Sequence, residues 1–244
     1  MGVEYVIDLK IKECIDNEKI IVEIPPTKKQ YKKALNNVPK RGLLEEIGNS
    51  ITHGVGALLA VVMFILMLLK SNTPLQLVAS LVYGISMIIM MSMSSLYHAF
   101  GQKTKVKRLF RRFDYSSIYL LIGGTYAPIL LLLVGSPLGI IVFIVQWILI
   151  ITGITFVSIF GPGRLRLLHY TLYFCIGWGG AMFVPLFNGQ NNGLCFWIAL
   201  GGIIYTLGMI PFCIKNSNCA HFIWHFFVLF GCVAQWIGIY SYLY

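Results

Sequence analysis

Asn218-Cys219-Ala220-His221-Phe222-Ile223-Trp224-His225 opens an apolar run that continues to Leu243. A run of about 20 apolar residues is long enough to cross the ~30 Å hydrocarbon core of a bilayer as a helix. Histidines at i and i+4 lie one above the other on a single helical face, close enough to share a ligand. The residues between them are Phe, Ile and Trp, so the pair lacks the Glu that follows the first His of a helical metalloprotease motif. Any base or charge partner must come from elsewhere. The choice is narrow: the chain has five histidines, and Asp114 is its only acid after Glu46. Alone, such a pair equally describes two packed histidines, and the rest of the chain has to decide.

Composition places that run in a membrane protein. The 244 residues are 57% hydrophobic and 11% charged, with a mean hydropathy of +0.77, whereas a soluble domain carries about 25% charged residues. Seven apolar stretches follow one another at about 50–69, 75–99, 115–134, 138–159, 167–187, 194–214 and 221–243. Their length, and the absence of two-residue alternation, predict helices rather than a barrel. The expected fold class is therefore all-α, a polytopic bundle of seven transmembrane helices. No internal repeat is visible, which disfavours an inverted-repeat transporter. The six cysteines form no Cys-x-x-Cys and read as small buried hydrophobes.

Two domains are expected: a basic cytoplasmic arm over 1–45, and a transmembrane domain over 46–244 with a metal site at its cytoplasmic end. In the arm, Val3–Ile11 and Ile20–Ile24 have strand-like alternation, and Pro25-Pro26 breaks the segment. The net charge of +10 does not indicate nucleic acid, because of where it lies. The arm holds nine of nineteen Lys and Arg, loop 100–113 holds six, loop 160–166 two and loop 215–220 one, all on one side of a seven-span arrangement. The other side has only Lys70. By the positive-inside rule the N-terminus is cytoplasmic and the C-terminus external. The arm and loop 100–113 then face anionic lipid headgroups, and Trp236, Tyr240, Tyr242 and Tyr244 fit an outer interfacial belt.

With that topology the scarce polar residues converge. Ser94 and His98 lie one turn apart near the cytoplasmic end of the second span, Asp114 opens the third, and His221 and His225 open the seventh. Ionisable groups inside a membrane are costly and by default mark a functional site. Asp114 taken alone is also a helix cap, and Ser94 alone a back-bonding helix serine. Together the three imidazoles suit Zn²⁺ with a fourth position open to water, the arrangement of a catalytic site. Asp114 is the candidate acceptor and general base for that water, and Ser94 a hydrogen-bonding group beside it. Haem needs only two axial histidines, and a di-iron desaturase many more than five. Glu46, Asn49 and His53 share one face at the start of the first span, either as a second polar layer near the metal or as an interfacial cap. His169 reads as interfacial. Gly123-Gly124 and Gly179-Gly180 are expected to allow close helix approach, and Pro128 and Pro185 to kink their helices.

The order Ser94-x-x-x-His98, Asp114, His221-x-x-x-His225 resembles the progestin and adiponectin receptor family, and more narrowly its bacterial hemolysin III branch. Glu46-Ile-Gly-Asn49-Ser-Ile-Thr-His53-Gly, Gly124-Thr125-Tyr126-Ala127-Pro128 and Gly177-Trp178 extend the resemblance over roughly 41–244. It implies zinc on His98, His221 and His225, with Asp114 and Ser94 around the bound water. It also implies kinship with alkaline ceramidases, which hydrolyse lipid amides. The expected function is thus a zinc-dependent hydrolase acting on a lipid amide or ester, with a role in membrane lipid homeostasis. The alternatives are a non-enzymatic sensor or receptor with structural zinc, or a pore-forming hemolysin-like factor. The central spans offer few polar residues suited to a pore lumen.

Overall fold

The computed structural model describes residues 11–15, 20–24, 27, 36–182, 192–214 and 219–244. It divides into two compact units, Met1–Asn37 and Val38–Tyr244. In the first, strands β1 (Ile11–Ile15) and β2 (Ile20–Ile24) pair antiparallel, with Ile11 opposite Ile24 and Ile15 opposite Ile20. The first strand thus begins where the alternation of 3–11 was expected to end; residues 3–10 lie outside the described residues.

The second unit is all-helical in its described residues. Its helices are α1 (Leu43–Lys70), α2 (Pro74–Ala99), α3 (Lys105–Pro128), α4 (Leu138–Phe160), α5 (Arg166–Trp178), α6 (Asn192–Cys213) and α7 (Ala220–Tyr242). Local sequence sets their ends. Glu45 and Glu46 occupy the first turn of α1, where the helix dipole favours acids. Thr73 and Gln76 form a reciprocal capping box with Pro74 in the first turn of α2. The Thr104 hydroxyl accepts the Lys107 N–H at the start of α3. The expected kink at Pro128 takes the form of a π-helical turn, Ile129–Val134, which continues α3. Pro185 lies outside the described residues.

Among the described residues six helices are long and apolar enough to cross a membrane: α1, α2, α3 with its π-helical turn, α4, α6 and α7. The fifth apolar stretch is only partly of this kind. Its helix α5 has 13 residues, about 20 Å of rise, and the stretch then runs on beyond the described residues. The burial pattern is the reverse of a soluble protein's. Large apolar side chains such as Leu58, Leu69, Ile148, Ile151 and Ile210 face outward, while Asn49, Ser80, His98 and Lys107 are buried. Surroundings that accept so much exposed apolar surface are lipid. The chain is a multi-pass membrane protein.

The interior is rich in methionine: Met63, Met67, Met87, Met90 and Met91 pack with Tyr83, Val228 and Cys232, and their unbranched chains fill irregular gaps between helices. At the end away from the histidines, Lys70 donates to the Tyr240 carbonyl, and the Ser80 hydroxyl donates to Tyr244. Glycines set the closest approach of α6 and α7. Gly201 and Gly208 on α6 face Gly231, Gln235 and Phe227 on α7. Gly124 packs on Ser86 and the Val82 carbonyl, as expected of a close-approach glycine, whereas Gly179 has open space around it. A Cβ on Gly201 would sit 2.9 Å from the Gly231 carbonyl oxygen and closer still to the Gln235 side chain. Backbone cannot yield as a side-chain tip can. Gly201→Leu should therefore destabilise the bundle by about 1–3 kcal/mol, read as a lowered melting temperature in detergent; an unchanged melt would show that α6 and α7 are not packed this closely.

Candidate metal centre

One end of the bundle gathers the chain's scarce polar residues. His98 sits in the last turn of α2, Asp114 in the third turn of α3, and His221 and His225 in the first two turns of α7. Glu46, Asn49 and His53 come from the first turns of α1. Each helix delivers its residues to one depth because it starts or stops there. The spacing of four in α7 stacks its two rings on one face, with centroids 4.9 Å apart.

His98, His221 and His225 each offer a ring nitrogen, and these atoms lie within 4.8 Å of one another. His98 Nε2 and His221 Nε2 are 3.2 Å apart. A tetrahedral ion with nitrogen bonds of about 2.0–2.1 Å separates its ligand atoms by about 3.3 Å, so this pair already has the required spacing. The tautomer fits as well. His98 Nδ1–H donates to Glu46 Oε2 at 2.6 Å, which leaves Nε2 bare and facing His221. A buried bare nitrogen needs a proton or a cation, and His221 Nε2 can donate the one or share the other. His225 Nδ1 is buried without a hydrogen-bond partner. The three-histidine group is thus able to hold a metal ion.

The polar face of α1 lies against these rings. Besides Glu46, the Asn49 amide stands 3.3 Å from His98 Nδ1. His53 stacks on His225 with centroids 3.8 Å apart, and its Nε2–H donates to the His225 carbonyl at 3.4 Å. All three residues expected to share a face of α1 thus contact His98 or His225. A carboxylate on the far nitrogen of a ligand histidine is the usual device for fixing the ring. Asp114 and Ser94 interact across the gap between α3 and α2. Both line a cavity of about 30 Å³, together with His53, His221, His225, Arg41 and Arg111. That is room enough for at least one water. Arg41 precedes the first helix. Burial alone would depress its guanidinium, yet Tyr97, whose hydroxyl accepts from it at 3.3 Å, and Glu46 hold it above its ordinary value. It therefore remains a fixed cation at the cavity's edge.

His169 is fully buried, its Nδ1 paired with the Tyr119 hydroxyl at 2.9 Å. It is not part of the three-histidine group, and it is enclosed by protein rather than exposed. Four residues near the site were not assigned to it from the sequence. Gln102 donates to Glu46 Oε1 at 2.6 Å, and Lys107 lies 3.1 Å from Glu46 Oε2. Arg41 and Arg111 line the cavity. Lys107 and Arg111 had been assigned to a headgroup-facing loop; α3 in fact begins at Lys105, and both are buried. One signal was available. Lys107, Arg111 and Asp114 stand at i, i+4 and i+7, on one helix face.

Sequence comparison identifies the family. Residues 41–236 match the family described as Haemolysin-III related. Hemolysin-3 of Bacillus cereus is 38% identical over 204 residues, covering 82% of this chain and 92% of that protein. The hemolysin-3 homolog of Bacillus subtilis is 36% identical over 202 residues, covering 81% and 94%. The human monocyte to macrophage differentiation factor is 27% identical over 207 residues, covering 82% and 85%. With six spanning-length helices among its described residues and a histidine cluster at one end, the chain belongs to the haemolysin III family, which includes relatives of the progestin and adiponectin receptors.

Proposed function

We propose that this protein is a zinc-dependent intramembrane hydrolase acting on an amide or ester bond of a lipid, with a role in membrane lipid homeostasis. The observation that carries this reading is a second cavity. It has a volume of about 230 Å³ and is walled by apolar side chains of α3, α5, α6 and α7. It shares Met90, Ile118, Phe212, Trp224 and Val228 with the small polar cavity at the histidines. An apolar chamber opening onto a few convergent polar groups is the shape expected for an acyl chain ending in a polar linkage. In the same reading the chain crosses the bilayer seven times, α5 forming part of the fifth span, with the N-terminus and the metal centre cytoplasmic and the C-terminus external. Lys103, Lys105, Arg108 and the arm then meet anionic headgroups.

His98, His221 and His225 would hold the ion. Zinc fits the donor set: three neutral imidazoles and an open position. When bound it supplies Lewis acidity and lowers the pKa of water to about 7. The chain's own groups do the rest. Glu46 fixes the His98 ring through Nδ1–H. The Asp114 carboxylate takes the proton of the attacking water and returns it to the leaving nitrogen or oxygen as the carbonyl–heteroatom bond breaks. Ser94 orients that carboxylate. The apolar cavity holds the acyl chain and keeps bulk water from the linkage. In the alternative reading, a sensor with structural zinc, Asp114 has no proton to move.

Two measurements test this: the first the metal centre that both readings share, the second the chemistry that separates them. Protein purified without chelator should carry roughly one zinc per chain, and His98→Ala should lose most of it; an equal zinc content in both would remove the metal centre. Asp114→Asn should keep its zinc while hydrolysis of acyl amides and esters in mixed micelles falls by roughly 10²–10⁴-fold. Hydrolysis that survives in full in Asp114→Asn and in His221→Ala would end the enzymatic reading.

A further inference from the structure

Lys107 has no part in the chemistry just described, yet it is among the most completely enclosed side chains in the protein, with 0% exposure. Its ammonium donates to the carbonyls of Tyr97 and Phe100, each at 3.0 Å, and pairs with Glu46 Oε2 at 3.1 Å. The His98 carbonyl is farther, at 3.4 Å, and the Tyr97 ring centroid lies 4.9 Å away. An ammonium has three N–H donors, and three acceptors stand at 3.0–3.1 Å.

The acceptors come from two other helices. Tyr97 and Phe100 flank the end of α2, where the last carbonyls have no partner within the helix and the dipole favours a cation. Those carbonyls bracket His98. The third acceptor is the carboxylate oxygen that takes the His98 Nδ1 proton at 2.6 Å, while the other oxygen of Glu46 accepts from Gln102 at 2.6 Å. One buried cation on α3 therefore grips both the backbone around the histidine and the carboxylate that orients its ring.

We propose that Lys107 is a positioning residue for the metal centre, acting through Glu46 to hold His98 Nε2 turned toward His221. This rests on the reading of the three histidines as a metal site. A lysine that merely tied helices together would contribute to stability and would leave metal affinity independent of Glu46. A lysine acting through Glu46 must show coupling instead.

The test is a double-mutant cycle on the full chain in detergent, with zinc affinity measured by competition with a chromophoric chelator. Lys107→Met and Glu46→Gln are each expected to weaken zinc binding by about 10–100-fold. The double variant should bind within about threefold of Glu46→Gln alone, because its path is already cut. Losses that multiply, or wild-type affinity in Lys107→Met, overturn the positioning role while leaving the metal centre standing. Failure of the wild type to bind zinc removes the metal reading, and this proposal with it. If Lys107→Met does not elute as a folded species, Lys107→Gln takes its place with the same expectations.

Discussion

The hydrogen bond from His98 Nδ1 to Glu46 Oε2, 2.6 Å long and buried, is the contact on which the rest of this end of the bundle depends. It joins α1 to α2 and decides which nitrogen of His98 faces inward. Because the proton sits on Nδ1, a lone pair at Nε2 points at His221, 3.2 Å away. That lone pair is met either by the His221 Nε2–H or by a cation the two rings share, since unsatisfied polar groups in hydrocarbon cost several kcal/mol. The Asn49 amide, the stacked His53 ring and the Lys107 ammonium all gather around that one arrangement. Few soluble proteins bury so many ionisable groups together without a purpose for them.

The surroundings follow from the solvent. In a bilayer the driving force that sorts residues in water is absent, so helices associate by close packing and by satisfying polar groups within the protein. The chain shows both. Gly201, Gly208 and Gly231 bring α6 and α7 together, and methionines fill the space between α1, α2 and α7. The polar cluster lies at one end, and an apolar cavity of about 230 Å³ among α3, α5, α6 and α7 shares Met90, Ile118, Phe212, Trp224 and Val228 with the small cavity beside it. That division supports a ligand with a long apolar part and a short polar one.

Much of this was legible in the sequence because the signals are long or rare. Six of the seven apolar stretches correspond to helices of spanning length, since about 20 apolar residues have few other uses. Three histidines and one acid among so few polar residues marked the site. The arm's hairpin and the brevity of α5 were less visible, for different reasons. Residues 11–15 carry charges that blur two-residue alternation, and the stretch from 167 is broken by Gly177, Gly179 and Gly180, which weaken a helix. The roles of Lys107 and Arg111 were hidden by treating 100–113 as a loop, where charge counts but direction does not. Once Thr104 is seen to cap a helix, the spacing of 107, 111 and 114 turns two surface charges into neighbours of Asp114.

The central claim is that three imidazoles from α2 and α7 hold one zinc ion. X-ray absorption at the zinc edge, on protein purified from its own membranes, addresses it directly. The account predicts a first coordination sphere of nitrogen and oxygen at about 2.0–2.1 Å with imidazole outer scattering, and loss of that imidazole signal in His225→Ala. A sphere containing sulfur at about 2.3 Å, or a spectrum unchanged by His225→Ala, would contradict it.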